Sequence, residues 1–127
     1  MDAQQELFTA LKLGLEAKGY AVFDGALPPD DTPYPFLYLG NFRENDTAHK
    51  IGMTGSVFPI VHVWSNNVRK RGELSRMILD VKIVYSQIRR TKNHAWNARG
   101  ITSQILSDYT TKTPLLHGIV EAEFLFS

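Results

Sequence analysis

The stretch SVFPIVHVWSNNVRKRGELSRMILDVKIVY, Ser56 to Tyr85, changes its apolar period halfway along. Up to Ser65 the beat is two: Phe58, Ile60, His62 and Trp64 fall on one side and Val57, Val61 and Val63 on the other, which predicts a strand. After NNVRKRG the beat becomes three or four. Leu74, Met77, Ile78, Val81, Tyr85 and Ile88 then make one stripe, which predicts an amphipathic helix. A chain that leaves a strand at a short polar turn and enters such a helix packs that helix back onto its own sheet. Both sides of the strand are apolar, so the side away from the helix needs a cover. Either the proline-rich segment of the same chain or a neighbouring subunit can supply it.

Outward from this stretch the rest of the order follows. Toward the N-terminus, Leu7, Leu11 and Leu15 share a helical stripe with Phe8 and Ala10 beside it. Asp2 stands three residues before Gln5 as a capping pair, and Gly19 is a stop. Tyr20 to Phe23 is a short strand-like run, ended by DGALPPDDTPYP, whose prolines Pro28, Pro29, Pro33 and Pro35 hold an extended surface path. PFLYLGNF, 35–42, predicts a strand with Phe36, Tyr38 and Phe42 on one side and Leu37 and Leu39 on the other. RENDTAHKIGMTG, 43–55, is polar and glycine-punctuated and reads as a long mobile loop. Toward the C-terminus, RRTKNHAWNARG reads as a polar connection. ITSQILSDYT and LLHGIVEAEFLFS follow as strands with TKTP as their turn, and Glu121 and Glu123 fall on the wet beat of the last one. The expected fold class is α+β: an antiparallel β-sheet with two α-helices packed on one face, a single domain over residues 1–127.

Composition removes several kinds of function. The 127 residues suit one domain, and 14 Lys and Arg against 13 Asp and Glu leave no global field for a nucleic acid or an anionic surface. With zero cysteines there is no disulfide framework, Cys-based zinc site or thiol nucleophile. The opening residues lack a basic region followed by an unbroken apolar run, and no stretch approaches the ~20 apolar residues of a membrane span. The expectation is a protein made in the cytoplasm with no membrane partner.

Candidate chemistry is sparse. His49, His62, His94 and His117 show no spacing that aims two ligands at one metal. A nuclease-like set of Asp80, Glu121 and Glu123 is conceivable, but the two glutamates sit on a strand's solvent beat with no lysine in the expected place after them. The expectation is no catalytic residue, no metal and no cofactor. Two basic clusters remain, Arg69–Lys70–Arg71 before the second helix and Arg89, Arg90 and Lys92 after it. The second suits a helix C-terminus. The first opposes the helix dipole and calls for an acidic neighbour or DNA; a nucleic-acid-binding module using both clusters is the rival from another class.

The opening helix that ends in GYAVFDG, the proline-rich lead into YPFLYLG, the VHVWS strand, the helix GELSRMILDVKIVY and the closing pair of strands together resemble the tail completion (tail terminator) or head–tail joining proteins of long-tailed bacteriophages and prophages. The resemblance implies a non-enzymatic virion structural protein. It would form a ring homo-oligomer, often a hexamer, at the head-proximal end of the tail, touching the tail tube protein and the head connector or head-closure protein around a channel for DNA. A head closure or minor tail component is the neighbouring possibility. On this reading Phe58, Ile60, His62 and Trp64, with Arg43, His49, Lys50 and Met53 of the 43–55 segment, are candidate ring or partner contacts. Arg69, Lys70 and Arg71 are candidates for the channel lumen or an acidic partner.

Overall fold

The computed structural model describes residues 2–26, 28–49 and 52–127. Helix α1 (Ala3–Ala17) starts where the Asp2 carboxylate accepts a 2.8 Å hydrogen bond from the Gln5 N–H, and it stops at Gly19, whose φ of +94° few other residues adopt. Strand β1 (Val22–Asp24) leads through the proline segment to β2 (Phe36–Leu39), β3 (Arg43–His49), β4 (Gly52–Phe58) and β5 (Ile60–Ser65). Helix α2 (Arg71–Gln87), then β6 (Trp96–Asp108) and β7 (Leu115–Phe126), complete the chain.

The seven strands make one sheet in which β7 is central. Along one side of β7, β5 and β4 follow each other in unbroken register, Ile60 opposite Glu121 and Val57 opposite Phe124. Pro59 between them lacks an N–H, so it leaves a gap in the ladder without turning the chain. Along the other side β6 pairs almost end to end, with one irregularity between Arg99 and Thr102. Strands β2 and β3 line the far side of β5 and β4, and β1 lies against β2. The β1–β2 pair is parallel, the one departure from an antiparallel sheet among the described strands, because the proline segment carries the chain back to the starting end.

Burial sorts the two sheet faces. Val57, Val61, Val63, Val120 and Phe124 are fully buried beneath the helices with Leu7, Leu11, Leu15, Leu74 and Val81. Gly118 lets α2 approach closely: a Cβ there would stand 2.9 Å from Cδ1 of Ile78. Tyr85 ties the same helix to β7 by donating to the Val120 carbonyl at 2.9 Å. The predicted stripe of α2 is therefore the core face, with Leu74, Met77, Ile78, Val81 and Tyr85 all buried and Ile88 packed at its end.

Three expectations change. The 43–55 segment is not a loop: β3 and β4 pair from Arg43–Phe58 to His49–Gly52, so the chain forms a long hairpin whose outer part runs past the end of β7, where pairing stops at Gly55–Phe126. With no core to cover, that arm carries Asn45, Asp46 and Thr47 exposed, and its polarity hides it from a periodicity argument. Phe42 sits on the helix side, 5.4 Å from the Phe8 ring, not beside Phe36 and Tyr38. From Leu39–Val61 to Arg43–Phe58, four steps on one strand match three on its partner, and the extra residue flips the faces. RRTKNHAWNARG is only half connection. Trp96 and Ala98 belong to β6, opposite Phe126 and Phe124 on the core side, while Asn97 and Arg99 between them make the run look polar.

The remaining half, 89–95, is pinned by a buried carboxylate. Glu6 accepts hydrogen bonds from the Thr91 hydroxyl, the Asn93 N–H at 3.0 Å and the Asn93 amide at 2.8 Å, and lies 3.2 Å from His94 Nδ1. The Thr91 bond foremost, with those from Asn93, holds this carboxyl at about 2 against the opposing effect of burial. The tether is made by Thr91 and Asn93, while His94 Nδ1 lies buried beside the carboxylate without a hydrogen bond of its own.

Candidate assembly surfaces

The sheet face away from the helices is the candidate site. Phe58, Ile60, His62 and Trp64 all lie on it, each half-buried, alternating with the covered valines. Register adds Phe36 and Tyr38 from β2 and His117 and Ile119 from β7. At the end where β5 finishes, Phe36, Tyr38, His62, Trp64 and His117 floor a groove of about 490 Å³. Pro28, Pro29, Asp30, Thr32 and Tyr34 of the proline segment wall one side of it; Asp108 at the end of β6, Thr111 in the turn and Leu115 at the start of β7 wall the other. The proline segment therefore flanks this face without closing it.

The floor is tightly organised. The Trp64 indole stacks on His117 with centroids 3.8 Å apart and planes 7° from parallel. His117 Nε2 lies 2.8 Å from His62 Nδ1, a hydrogen bond in which one ring donates and the other accepts. Burial pushes both imidazoles below the usual histidine range, and for His117 the His62 ring adds to it. Tyr38 donates its hydroxyl to the Gly25 carbonyl at 2.6 Å, joining the floor to the start of the proline segment. Two of the four histidines thus meet, because β7 places His117 beside His62. Their sequence separation of 55 residues conceals a meeting that only the β5–β7 pairing makes.

The hairpin arm is the second surface. Arg43 stands opposite Phe58, its guanidinium 4.1 Å from the ring centre, so the arm's root joins the same face. Met53 pairs with Ala48 and His49 with Gly52 along the backbone of the outer arm, and Lys50 lies outside the described residues. Behind the root, burial and the neighbouring Asp46 push the Glu44 carboxyl up to about 7. Arg69, Lys70 and Arg71 form a third, separate surface. They are exposed at the head of α2, where Lys70 caps the helix without a side-chain bond and reaches Glu73 only at 3.9 Å.

The rival constellations come apart. Asp80 lies in the helix layer, where it accepts the Tyr20 hydroxyl, while Glu121 and Glu123 alternate with buried Val120, Ala122 and Phe124 and so face the other way. Glu123 is held by Arg99 at 2.6 Å and Ser56 at 2.8 Å, and the Arg99 bond leads in lowering its carboxyl. Among the described residues no three His, Asp or Glu side chains are grouped to hold a metal ion. The two basic clusters stand at opposite ends of α2, about 25 Å apart at ~1.5 Å per residue, and do not merge into one footprint. No helix among the described residues is long and apolar enough to cross a membrane.

No protein-family model matches the chain, and no curated protein does. Solved structures do. A chain in the virion of a native gene transfer agent particle is 14% identical, with 98% of this chain covering 95% of that one at a TM-score of 0.63. The bacteriophage SPP1 gp17 protein is 21% identical, with 96% of this chain covering 89% of that one at a TM-score of 0.57. At these identities the likeness establishes a common fold running through nearly the whole chain.

Proposed function

We propose that this chain is a structural, non-enzymatic virion protein of the tail completion class. It assembles as a ring at the head-proximal end of a phage-type tail and joins tail to head. The observation that carries the reading is end-to-end likeness to a chain in a gene transfer agent virion, on a fold that leaves one sheet face and one hairpin arm without cover. A monomer seldom keeps such a half-buried aromatic face, whereas a subunit interface requires one. The arm suits the same role, since a paired ribbon reaching beyond the core can lie against a neighbour with its backbone already ordered. On this reading Phe58, Ile60 and Arg43 are subunit or tail-tube contacts, and the ring surrounds a path for DNA.

The test is deletion of the gene from the genome that carries it, followed by electron microscopy of the particles. Heads that lack tails beside free tails of abnormal length are expected, with restoration by the gene in trans. Normal, complete particles would refute the reading.

A further inference from the structure

We propose that, within the ring just inferred and resting on it, the aromatic groove of one subunit receives the Val68–Arg71 turn of the next. The groove is acidic as well as aromatic: Asp30 and Asp108 stand on opposite walls, above Tyr34, Phe36 and Trp64. Among the described residues neither carboxylate has an ion-pair partner, and no lysine or arginine lines the groove. The His62–His117 hydrogen bond needs at least one unprotonated ring nitrogen, so the floor does not offset those charges with two imidazolium ions. Asp108 is also fixed in place, because its Oδ1 accepts from the Thr110 N–H at 2.9 Å and the Thr110 hydroxyl at 2.6 Å. Aromatic rings between two carboxylates suit a cationic side chain with an apolar companion.

The same chain presents that ligand. Val68 is 45% exposed, and Arg69, Lys70 and Arg71 follow it at the positive end of the α2 dipole, where a nearby anion removes an unfavourable field. The turn leads into α2, which packs on the sheet face opposite the groove, and among the described residues no ion pair joins it to Asp30 or Asp108 of its own chain. The contact between copies is heterologous, front to back, which is the kind that closes into a ring.

Charge exchange between separately purified full-length variants tests it by sedimentation velocity over a concentration series. Wild type is expected to self-associate, and Asp30→Lys or Arg69→Glu/Lys70→Glu/Arg71→Glu to weaken this at least tenfold. Mixing the two variants should restore a 1:1 complex, because each keeps the half that the other lost. Asp30 and the basic turn are exposed and carry no core contact, and coincident urea curves would confirm folding. Self-association of either variant equal to wild type, or a mixture that stays monomeric, overturns the pairing. A wild type that is monomeric throughout overturns it too. The deletion phenotype decides the ring reading separately, since abnormal tails together with a failed exchange would retain the ring and reject this contact.

Discussion

Ile78 and Leu79 are neighbours in α2 with opposite surroundings, which makes them a sharp test of how this helix sits. Ile78 is 5% exposed and rests on Gly118 in β7, with Val63 beside it; Leu79 is 55% exposed. Ile78→Ala removes three carbons from a site that cannot collapse easily, because β7 is hydrogen-bonded on one side to β5 and on the other to β6. The transfer and cavity terms together place the loss at about 3–4 kcal/mol, in the upper part of the ~2–5 kcal/mol range for such truncations. With an unfolding entropy of about 2.1 cal/mol/K per residue, or about 0.27 kcal/mol/K for 127 residues, the midpoint should fall by roughly 11–15 °C. Leu79→Ala should change stability by less than about 0.5 kcal/mol. Urea denaturation followed by Trp fluorescence measures both, with an unchanged slope showing that the midpoint reports stability. A loss under about 1 kcal/mol for Ile78→Ala, or equal losses for the two, would refute the docking of α2 on the Gly118 surface.

Three other outcomes follow. The Glu6 carboxyl is held far below its unfolded value, so its stabilisation is present above about pH 4.5 and is lost as pH falls toward 2. Wild type should lose urea resistance through that window while Glu6→Gln, weaker at neutral pH, converges on it, and parallel curves would contradict the tether. His62 and His117 are held below the ordinary range, so the fold favours their neutral forms above pH 6.5 and loses that contribution as pH drops through the folded values. NMR of the imidazole nitrogens should find both titrating below 6.5, and titration at or above it would break the pair. Gly55→Ala would put a Cβ 2.2 Å from the Asn45 carbonyl oxygen. It should cost about 1–3 kcal/mol and speed amide exchange in β3 and outer β4 ahead of β7, whereas unchanged exchange would deny the close pairing.

Legibility in the sequence followed burial. The α2 stripe, the capping pair Asp2–Gln5, the stop at Gly19 and the two-sided strand Val57–Trp64 were readable because each buries a face at a regular period. Those features also specify the α+β class. The outer hairpin arm was not readable, because strands that cover no core leave no apolar rhythm. The face change at Phe42 depends on one extra residue near Gly40, a matter of register between strands that no single strand records. The candidate face was half legible: Phe58, Ile60, His62 and Trp64 announced it. Tyr34, His117 and Leu115 joined only when β7 and the proline segment folded beside β5. Glu6 was the most hidden, an ordinary first-turn acid on α1 whose partners lie 85 and 87 residues away.

The most direct test of the ring account is a cryo-electron microscopy reconstruction of the neck region in particles made by the genome that carries this gene. The account predicts a ring of this chain between tail tube and head, with the Phe58–Trp64 face covered by protein and Asp30 of each subunit beside Arg69–Arg71 of its neighbour. A neck with no copy of this chain, or copies in place with that face bare to solvent, would contradict it.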